Sequence, residues 1–411
     1  MRNYFLSTHL RFLHFRSFLV CAIALLLCAC AARDARRPPA PQGERSFPTQ
    51  PTAPMPSSSD PTLSPDSPTS APIATPLQSV PPVTSNAAAH IALILPLAAK
   101  NFGAVADAFK QGFVAAANFE GRNAPAYRIY AADNEGESLA YSFRKALGDG
   151  ATLVIAGLTR DGATLLAHLA AQHSELPILA LNAPDADVPD RYYYVSLSLD
   201  NETRQTALFA AAEGARNVAV IHSNTGLAKR IQEVFEKEWT RLGGSIVARI
   251  AFDGEPGAAQ RIRAKLEYLA ADSVFIAAEP DSTRFARPYV PTGMPVFATS
   301  LSFDPRADAL ANIDLDGVRF LDMPWFVQPD HLAVMIYPRP VGAAVEQERL
   351  YALGVDAWRL ALLLQDANQH NPVLDGVTGR LTLDAGRQFL RALTAVEFRD
   401  GRAQLYKPNA E

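Results

Sequence analysis

The sequence predicts a two-lobed α/β protein in which each lobe is built on a doubly wound parallel sheet. Short apolar runs alternate with helical stretches from His90 to the end of the chain, and the alternation passes through two similar halves. The body also contains no cysteine, which rules out a disulfide scaffold. A series of βα units favours parallel strands that are covered by helices on both faces.

The first half supplies five predicted strands. Residues 91–95 form a continuous apolar run that stops at Pro96, as expected of a strand that is buried on both faces. Thr159 is a suitable N-cap for the helix after the third strand. The strands are predicted at 91–95, 127–131, 153–156, 177–181 and 192–197, with helices at 105–119, 139–147 and 159–168.

The second half repeats this scheme and ends in a different pattern. A long helix is predicted at 347–365, and a hairpin-like tail at 378–383 follows it. Two similar halves with a late helix predict two lobes and a concave cleft between them. The strands are predicted at 218–221, 245–250, 273–277, 295–298 and 317–320, with helices at 203–213, 227–242 and 260–269.

The first thirty residues have the composition of an export signal. Three arginines and no acid precede an apolar stretch at 18–27 that is too short to span a bilayer comfortably. The stretch runs into Leu27-Cys-Ala-Cys30, which resembles the bacterial lipobox, and Ala31 resembles the outer-membrane sorting residue of enteric lipoproteins. We therefore expect residues 1–29 to be a signal peptide and Cys30 to carry the lipid that anchors the chain to the periplasmic face of the outer membrane. A plain secretory signal is the alternative.

The composition changes again between the predicted lipid anchor and the body. Residues 31–89 contain 14 of the chain's 31 prolines, among Ser, Thr, Ala and Gln. Such a stretch cannot bury enough apolar surface to offset the entropy lost on ordering it. We expect residues 30–89 to be the lipidated cysteine and a disordered linker, and residues 90–411 to form the folded domain.

Charge and motif content exclude several classes of function. The 38 Lys and Arg residues are balanced by 42 Asp and Glu residues, so the chain lacks the basic excess that nucleic acid requires. The three cysteines all lie in the first thirty residues, which excludes a cysteine nucleophile or a cysteine-ligated metal in the body. The run at 312–317 copies half of a calcium loop, but Met323 stands where the bidentate Glu belongs. We expect no enzyme activity, no metal and no cofactor.

Polar side chains follow many of the predicted strands at their carboxyl ends, where ligands of open parallel sheets bind. They could hydrogen-bond an amino acid or a peptide-like group. Capping of helices is an adequate alternative explanation for Thr159 and Ser223, so the sequence leaves a small ligand and a body without one both open. The candidate cleft residues are Asn101, Asp133, Asn134, Thr159, Asn182, Ser223, Glu279, Thr299 and Ser300.

Several longer strings resemble known families. The run at 91–97, followed by the run at 108–113, is similar to the opening of type I periplasmic binding proteins. Four more specific strings lie at 196–205, 314–325, 349–358 and 376–381. Together they resemble the C-terminal domain of the penicillin-binding-protein activator lipoproteins, the LpoA/LppC-like family, in the right order from His90 onward.

The resemblance implies a type I periplasmic-binding-protein-like fold in which the chain crosses between the lobes three times. Lobe one would hold about 90–197 and 326–371, and lobe two about 198–325 and 372–411. It also implies an outer-membrane lipoprotein that binds and activates a class A penicillin-binding protein, a bifunctional peptidoglycan synthase. The alternative is a lipid-tethered solute-binding or sensing protein whose cleft takes an amino acid or a peptide-like ligand.

Overall fold

The computed structural model describes residues 88–252, 254–255, 257–366 and 371–408. The predicted signal peptide, Cys30 and the predicted linker as far as residue 87 lie outside the described residues. Within the described residues, helices and strands alternate along the chain, as in an α/β protein. No helix in this part of the chain is both long enough and apolar enough to cross a bilayer.

The elements follow one another in an alternating order along the chain. The first part contains β1 (His90–Leu95), α1 (Gly103–Glu120), β2 (Tyr127–Ala131), α2 (Glu137–Gly148), β3 (Ala151–Ala156), α3 (Arg160–Ala170), β4 (Ile178–Ala180), β5 (Tyr192–Val195), α4 (Leu199–Ala212), β6 (Asn217–Ser223), α5 (Gly226–Arg241), β7 (Ser245–Phe252), α6 (Ala258–Tyr268), β8 (Ser273–Ala277) and α7 (Pro280–Ala286). The second part contains β9 (Val296–Ala298), β10 (Val318–Asp322), α8 (Pro324–Val327), α9 (Leu332–Met335), α10 (Val345–Gln365), β11 (Val373–Gly376), β12 (Gly379–Leu383), β13 (Gln388–Ala392), β14 (Thr394–Arg399) and β15 (Arg402–Leu405).

The strands form two sheets, one in each lobe. In the described residues, the order of the first sheet is β11-β12-β13-β5-β4-β3-β1-β2, and that of the second is β15-β14-β10-β9-β8-β6-β7. The βα strands pair in parallel in both sheets. Antiparallel strands close one end of each sheet. The predicted two-lobed α/β class is confirmed, with sheets that are mainly rather than wholly parallel.

The assignment of the C-terminal segment is corrected by the pairing of the strands. Residues 372–411 were expected in lobe two, but β11, β12 and β13 belong to the first sheet, where Phe389 pairs with Val195 of β5. The apolar side chains of Leu374, Leu381 and Phe389 are buried in the core of lobe one, which is why this hairpin lies there. Only β14 and β15 extend the second sheet. The third crossing therefore lies at Leu393 and not near 371–376.

The close packing of α1 on α10 determines where α10 enters the cleft. Gly112 on α1 and Gly354 on α10 have no side chain, and a Cβ at either position would overlap backbone of the other helix. The two helices can therefore approach at backbone contact distance. Beside them, the rings of Phe113 and Trp358 meet edge to face with centroids 5.1 Å apart. This packing fixes the first turns of α10 at the junction of the two lobes.

Candidate functional site

Two cavities lie where the lobes meet. One has a volume of about 620 Å³ and is lined by Arg160, Arg204 and Arg230, after which we name it the arginine compartment. The other has a volume of about 470 Å³ and is lined by Glu202, Asp322, Arg349 and Arg391; we name it the hinge compartment. The two share three leucines in their linings, so they are parts of one cleft. The shared residues are Leu197, Leu199 and Leu227.

The hinge compartment contains an ion pair that joins the two lobes. Asp322 ends β10 in lobe two, and Arg349 projects from α10 in lobe one. The guanidinium donates two hydrogen bonds to the carboxylate, with N···O distances of 2.7 and 3.0 Å. The backbone N–H of Met323 donates a third at 2.7 Å. Asp322 is 1% exposed, so this bidentate pair holds the second crossing in place within a region shielded from water.

Glu202 and Arg391 add two more buried charges to the same compartment. The Glu202 carboxylate accepts hydrogen bonds from the backbone N–H of Ser300 at 2.5 Å and from its hydroxyl at 3.0 Å. Burial raises the pKa of Glu202, and the nearby Asp322 carboxylate raises it further. Arg391 donates to the carbonyl oxygens of Ser196 and Thr378 at 3.0 and 3.1 Å, and its burial lowers the pKa of the guanidinium to about 10. The charged groups of Glu202 and Arg391 therefore already have hydrogen-bond partners within the protein.

The strand ends of lobe one are also satisfied by the protein itself. Glu135 reaches from the loop after β2 and accepts hydrogen bonds from the backbone N–H groups of Leu158 at 2.7 Å and Thr159 at 2.5 Å. The Thr159 hydroxyl caps α3 by accepting from the N–H of Gly162 at 3.1 Å, as its sequence position predicts. Asn182 donates to the carbonyl of Leu158 at 3.1 Å. An internal carboxylate thus occupies these backbone donors.

Lobe two repeats the arrangement with a second internal carboxylate. Glu279, which follows β8, accepts hydrogen bonds from the hydroxyls of Ser223 at 2.7 Å and Thr225 at 2.5 Å. Burial acts to raise the pKa of Glu279, but the two hydroxyl donors outweigh it and the pKa is lowered. The Thr299 hydroxyl is buried and has no hydrogen-bond partner among the described residues. Most polar groups at this edge therefore already have partners.

The structure separates the predicted cleft residues into three groups. Asn182 lines the arginine compartment and Ser300 lines the hinge compartment. A second group, beside the cleft, hydrogen-bonds internally or is buried, and a third group is exposed on turns that line neither compartment. The second group is Thr159, Ser223, Glu279 and Thr299, and the third is Asn101, Asp133 and Asn134.

The arginine compartment differs from the hinge compartment in how its charges are paired. Arg230 forms a bidentate ion pair with Asp200, with both N···O distances 2.9 Å. Arg204 donates only to the side-chain carbonyl of Asn201 at 2.7 Å. Within the described residues, neither Arg160 nor Arg204 forms an ion pair with a carboxylate. Glu238, whose pKa is lowered chiefly by a hydrogen bond from Arg241, is also influenced by the charge of Arg204. The lining itself has three guanidinium groups and one carboxylate, so guanidinium groups are in excess there.

Sequence reasoning missed most of the charged residues that define the two compartments. Arg349 and Asp322 were part of the strings that carried the family resemblance, but no ligand or structural role was predicted for them. Arg391 lies on β13, a strand that was not predicted. Arg160 and Arg204 stand on helices whose position at the cleft depends on the crossing between the lobes. In the described part of the chain, no group of His, Cys, Asp or Glu residues could hold a metal ion.

Comparison with known proteins identifies the family. The LppC lipoprotein family model matches residues 61–401. The chain belongs to the LppC lipoprotein family. The penicillin-binding protein activator LpoA of Pantoea ananatis is 25% identical over 319 residues, which cover 66% of this chain and 46% of that protein. LpoA of Haemophilus influenzae is 27% identical over 247 residues, which cover 56% and 41%. The chain spans about half the length of the curated relatives it matches.

Solved structures share the fold. Full-length LpoA of Haemophilus influenzae superposes with a TM-score of 0.65 at 22% identity, covering 78% of this chain and 59% of that one. Its C-domain, described as a regulator of PBP1A, gives 0.62 at 20% identity, covering 77% and 100%. A provisionally named branched-chain amino acid ABC transporter of Chromobacterium violaceum gives 0.64 at 32% identity, covering 76% and 100%. The type I periplasmic-binding-protein-like fold is thus confirmed.

Proposed function

We propose that this chain is an outer-membrane lipoprotein that binds a class A penicillin-binding protein and raises its rate of peptidoglycan synthesis. The observation that carries the proposal is the sequence similarity to the penicillin-binding protein activators. That similarity covers 66% of the chain, and the family model extends over residues 61–401. The solved C-domain of one relative is described as a regulator of PBP1A, which identifies the class of partner to test.

The geometry of the strand ends supports a protein-binding role over a solute-binding one. The backbone donors at the end of β3 are occupied by Glu135, and the hydroxyls at the end of β6 are occupied by Glu279. An amino acid that entered the cleft would have to displace these internal carboxylates to use the same groups. A body that has kept the fold without its ligand site is consistent with this arrangement, because fold does not determine function.

The direct test measures binding and synthesis together. Purified full-length protein is added to each class A synthase of the source organism, and glycan polymerisation and peptide crosslinking are followed over time. We expect binding to one synthase and a faster rate, with no polymer formed by this protein alone. A lysozyme-sized inert protein serves as the control for crowding. Absence of binding to every class A synthase would contradict the proposal.

The lipid anchor is a separate part of the proposal and has its own test. The Leu27–Cys30 string is the observation behind it. Cys30→Ser should release the protein into the soluble periplasmic fraction, while export continues because the apolar stretch at 18–27 is unchanged. Cys28→Ser is the matched control and should leave the protein with the outer membrane. A Cys30→Ser variant that still fractionates with outer membranes would overturn the assignment of the anchor.

The alternative function is solute binding, and one observation favours it. The Chromobacterium violaceum protein named as an amino acid transporter is 32% identical and is covered over its whole length. A thermal-shift screen with leucine, isoleucine, valine and short peptides tests this alternative. Stabilisation by one of these compounds, together with no affinity for a class A synthase, would establish solute binding in place of activation.

A further inference from the structure

We propose that the arginine compartment is the docking site for an acidic segment of the partner synthase, and that an apolar side chain of this segment enters between the lobes. The inference rests on the proposed function, because it names the surface and the chemistry through which the partner binds. The compartment combines more guanidinium than carboxylate groups in its lining with exposed apolar side chains on both lobes.

Charge complementarity indicates an acidic occupant. Three arginines and one aspartate line the compartment, and Asp200 is already paired with Arg230. Arg160 and Arg204 are exposed and have no ion-pair partner within the described residues. The chain as a whole has a net charge of −4, so this local excess of positive charge runs against its composition. Such a patch attracts an oppositely charged partner and orients its approach.

The apolar side chains at the opening indicate what accompanies the acidic groups. Phe102, before α1 in lobe one, is 46% exposed, and Leu227, on α5 in lobe two, is 44% exposed. Both line the compartment, together with Val105 and Leu353. A volume of about 620 Å³ is large enough for an apolar side chain and its flanking backbone. Filling it would remove the two exposed side chains from water.

Ser196 brings the connection between the lobes to the wall of the compartment. Ser196 is 6% exposed and lines the cavity, yet its hydroxyl has no hydrogen-bond partner among the described residues. Ser196 also stands at the first crossing between the lobes. A bound segment would therefore contact lobe one, lobe two and the connection between them.

The distribution of donors favours a peptide segment over a small anion. The buried backbone donors of Leu158 and Thr159, which could enclose a small carboxylate, are taken by Glu135. Arg160 and Arg204 offer charged donors at the exposed rim instead. A segment that is held outside the cavity by its own protein can place acidic side chains against the rim while its apolar residue fills the interior. A free amino acid would lose one of these two contacts.

The test uses charge reversal in the full-length protein. The pair Arg160→Glu and Arg204→Glu is compared with the wild type for binding to the synthase by surface plasmon resonance at low and high salt. We expect affinity to fall at least about tenfold, chiefly through slower association, and the salt dependence of association to weaken. The control pair, Arg122→Glu and Arg402→Glu, makes the same charge change at exposed positions away from the cleft and should bind like the wild type.

A second pair tests the apolar contact. Phe102→Ser with Leu227→Ser should speed dissociation of the complex, whereas Tyr268→Ser, at a side chain that is 89% exposed on lobe two, should not. Thermal unfolding of each variant checks that the fold is intact. If the charge-reversed pair is unstable, Arg160→Gln with Arg204→Gln replaces it and should weaken binding in the same direction.

The outcomes separate this inference from the proposed function. If the wild type binds a synthase and the cleft variants bind as well as the control pairs, the docking site is elsewhere and the inference is overturned while the function stands. If the wild type binds no class A synthase, both proposals fall. Selective loss of binding in the cleft variants, with both controls unchanged, supports the docking site.

Discussion

The two compartments of the cleft use charged residues in opposite ways. In the hinge compartment, Asp322 is paired with Arg349, and Arg391 is buried against backbone carbonyls. In the arginine compartment, Arg160 and Arg204 are exposed and have no carboxylate partner within the described residues. The first arrangement stabilises the connection between the lobes, and the second is available to another molecule. In the hinge compartment, the arginine that is paired with a carboxylate of this chain holds the lobes together, whereas exposed arginines without such a pair can contact another molecule.

The largest effect should come from breaking the ion pair that joins the lobes. Asp322→Ala leaves the Arg349 guanidinium buried without its counter-charge, and loss of one partner of a buried pair costs about 3–5 kcal/mol. Urea unfolding of the variant measures this loss of stability. Arg144→Ala, at an exposed position on α2, is the control and should be close to the wild type. A loss below about 1 kcal/mol would show that the pair is not a structural element.

Glu202 should make stability depend on pH. Its pKa in the folded protein is raised from 4.5 to about 7, so the native state binds a proton more readily than the unfolded chain. This contribution to stability is complete below pH 4.5 and is lost as the pH rises through about 7. Glu202→Gln should flatten the fall in stability over this range, measured by urea unfolding at several pH values. An unchanged pH profile would contradict the raised pKa.

Glu135 should contribute to stability as an internal substitute for a ligand. Glu135→Ala removes the acceptor of two backbone N–H groups at the start of α3, which should cost about 1–2 kcal/mol. Glu137→Ala, two residues away in the first turn of α2, is the matched control. If acetate at millimolar concentration restores the thermal stability of the Glu135→Ala variant and not that of the control, the carboxylate position is confirmed as an anion site. No loss of stability on substitution would argue against it.

The smallest effect is expected in the arginine compartment. Arg160→Ala and Arg204→Ala remove exposed side chains without ion pairs, so each should change stability by less than about 0.5 kcal/mol. Thermal and urea unfolding measure this directly. A large destabilisation would mean that these arginines are structural, and the contrast between the two compartments would be lost.

Local sequence pattern predicts the strands of the βα units well and the late antiparallel strands poorly. β2 and β8 agree residue for residue with the sequence prediction, because their apolar runs are bounded by clear turn signals. β13 was missed because burial does not follow hydrophobicity along it: Arg391 is buried and Leu390 is exposed. Its membership of the first sheet depends on pairing with β5, almost two hundred residues earlier. No local pattern contains that information.

Local sequence pattern is also insufficient to predict the contacts of the cleft residues. Thr159 was predicted as a helix cap because an N-cap depends only on the next few residues. The partners of Glu135, Glu202 and Arg391 are 13 to 195 residues away along the chain, so spacing alone does not reveal them. The sequence places polar residues after several predicted strands. Which of those groups remain free depends on tertiary contacts.

The three crossings also impose an order on folding. Each sheet is completed by late strands: the first gains β11 to β13 long after β5, and the second gains β14 and β15 after a shorter interval from β10. A chain that emerges from its amino end therefore presents the parallel strands of lobe one long before the strands that cover their edge at β5. The edge of β5 stays unpaired until nearly two hundred further residues have been synthesised. Because β5 and β13 are so far apart in sequence, their pairing should slow folding. Protection of that edge by a chaperone during this interval would benefit the first lobe more than the second.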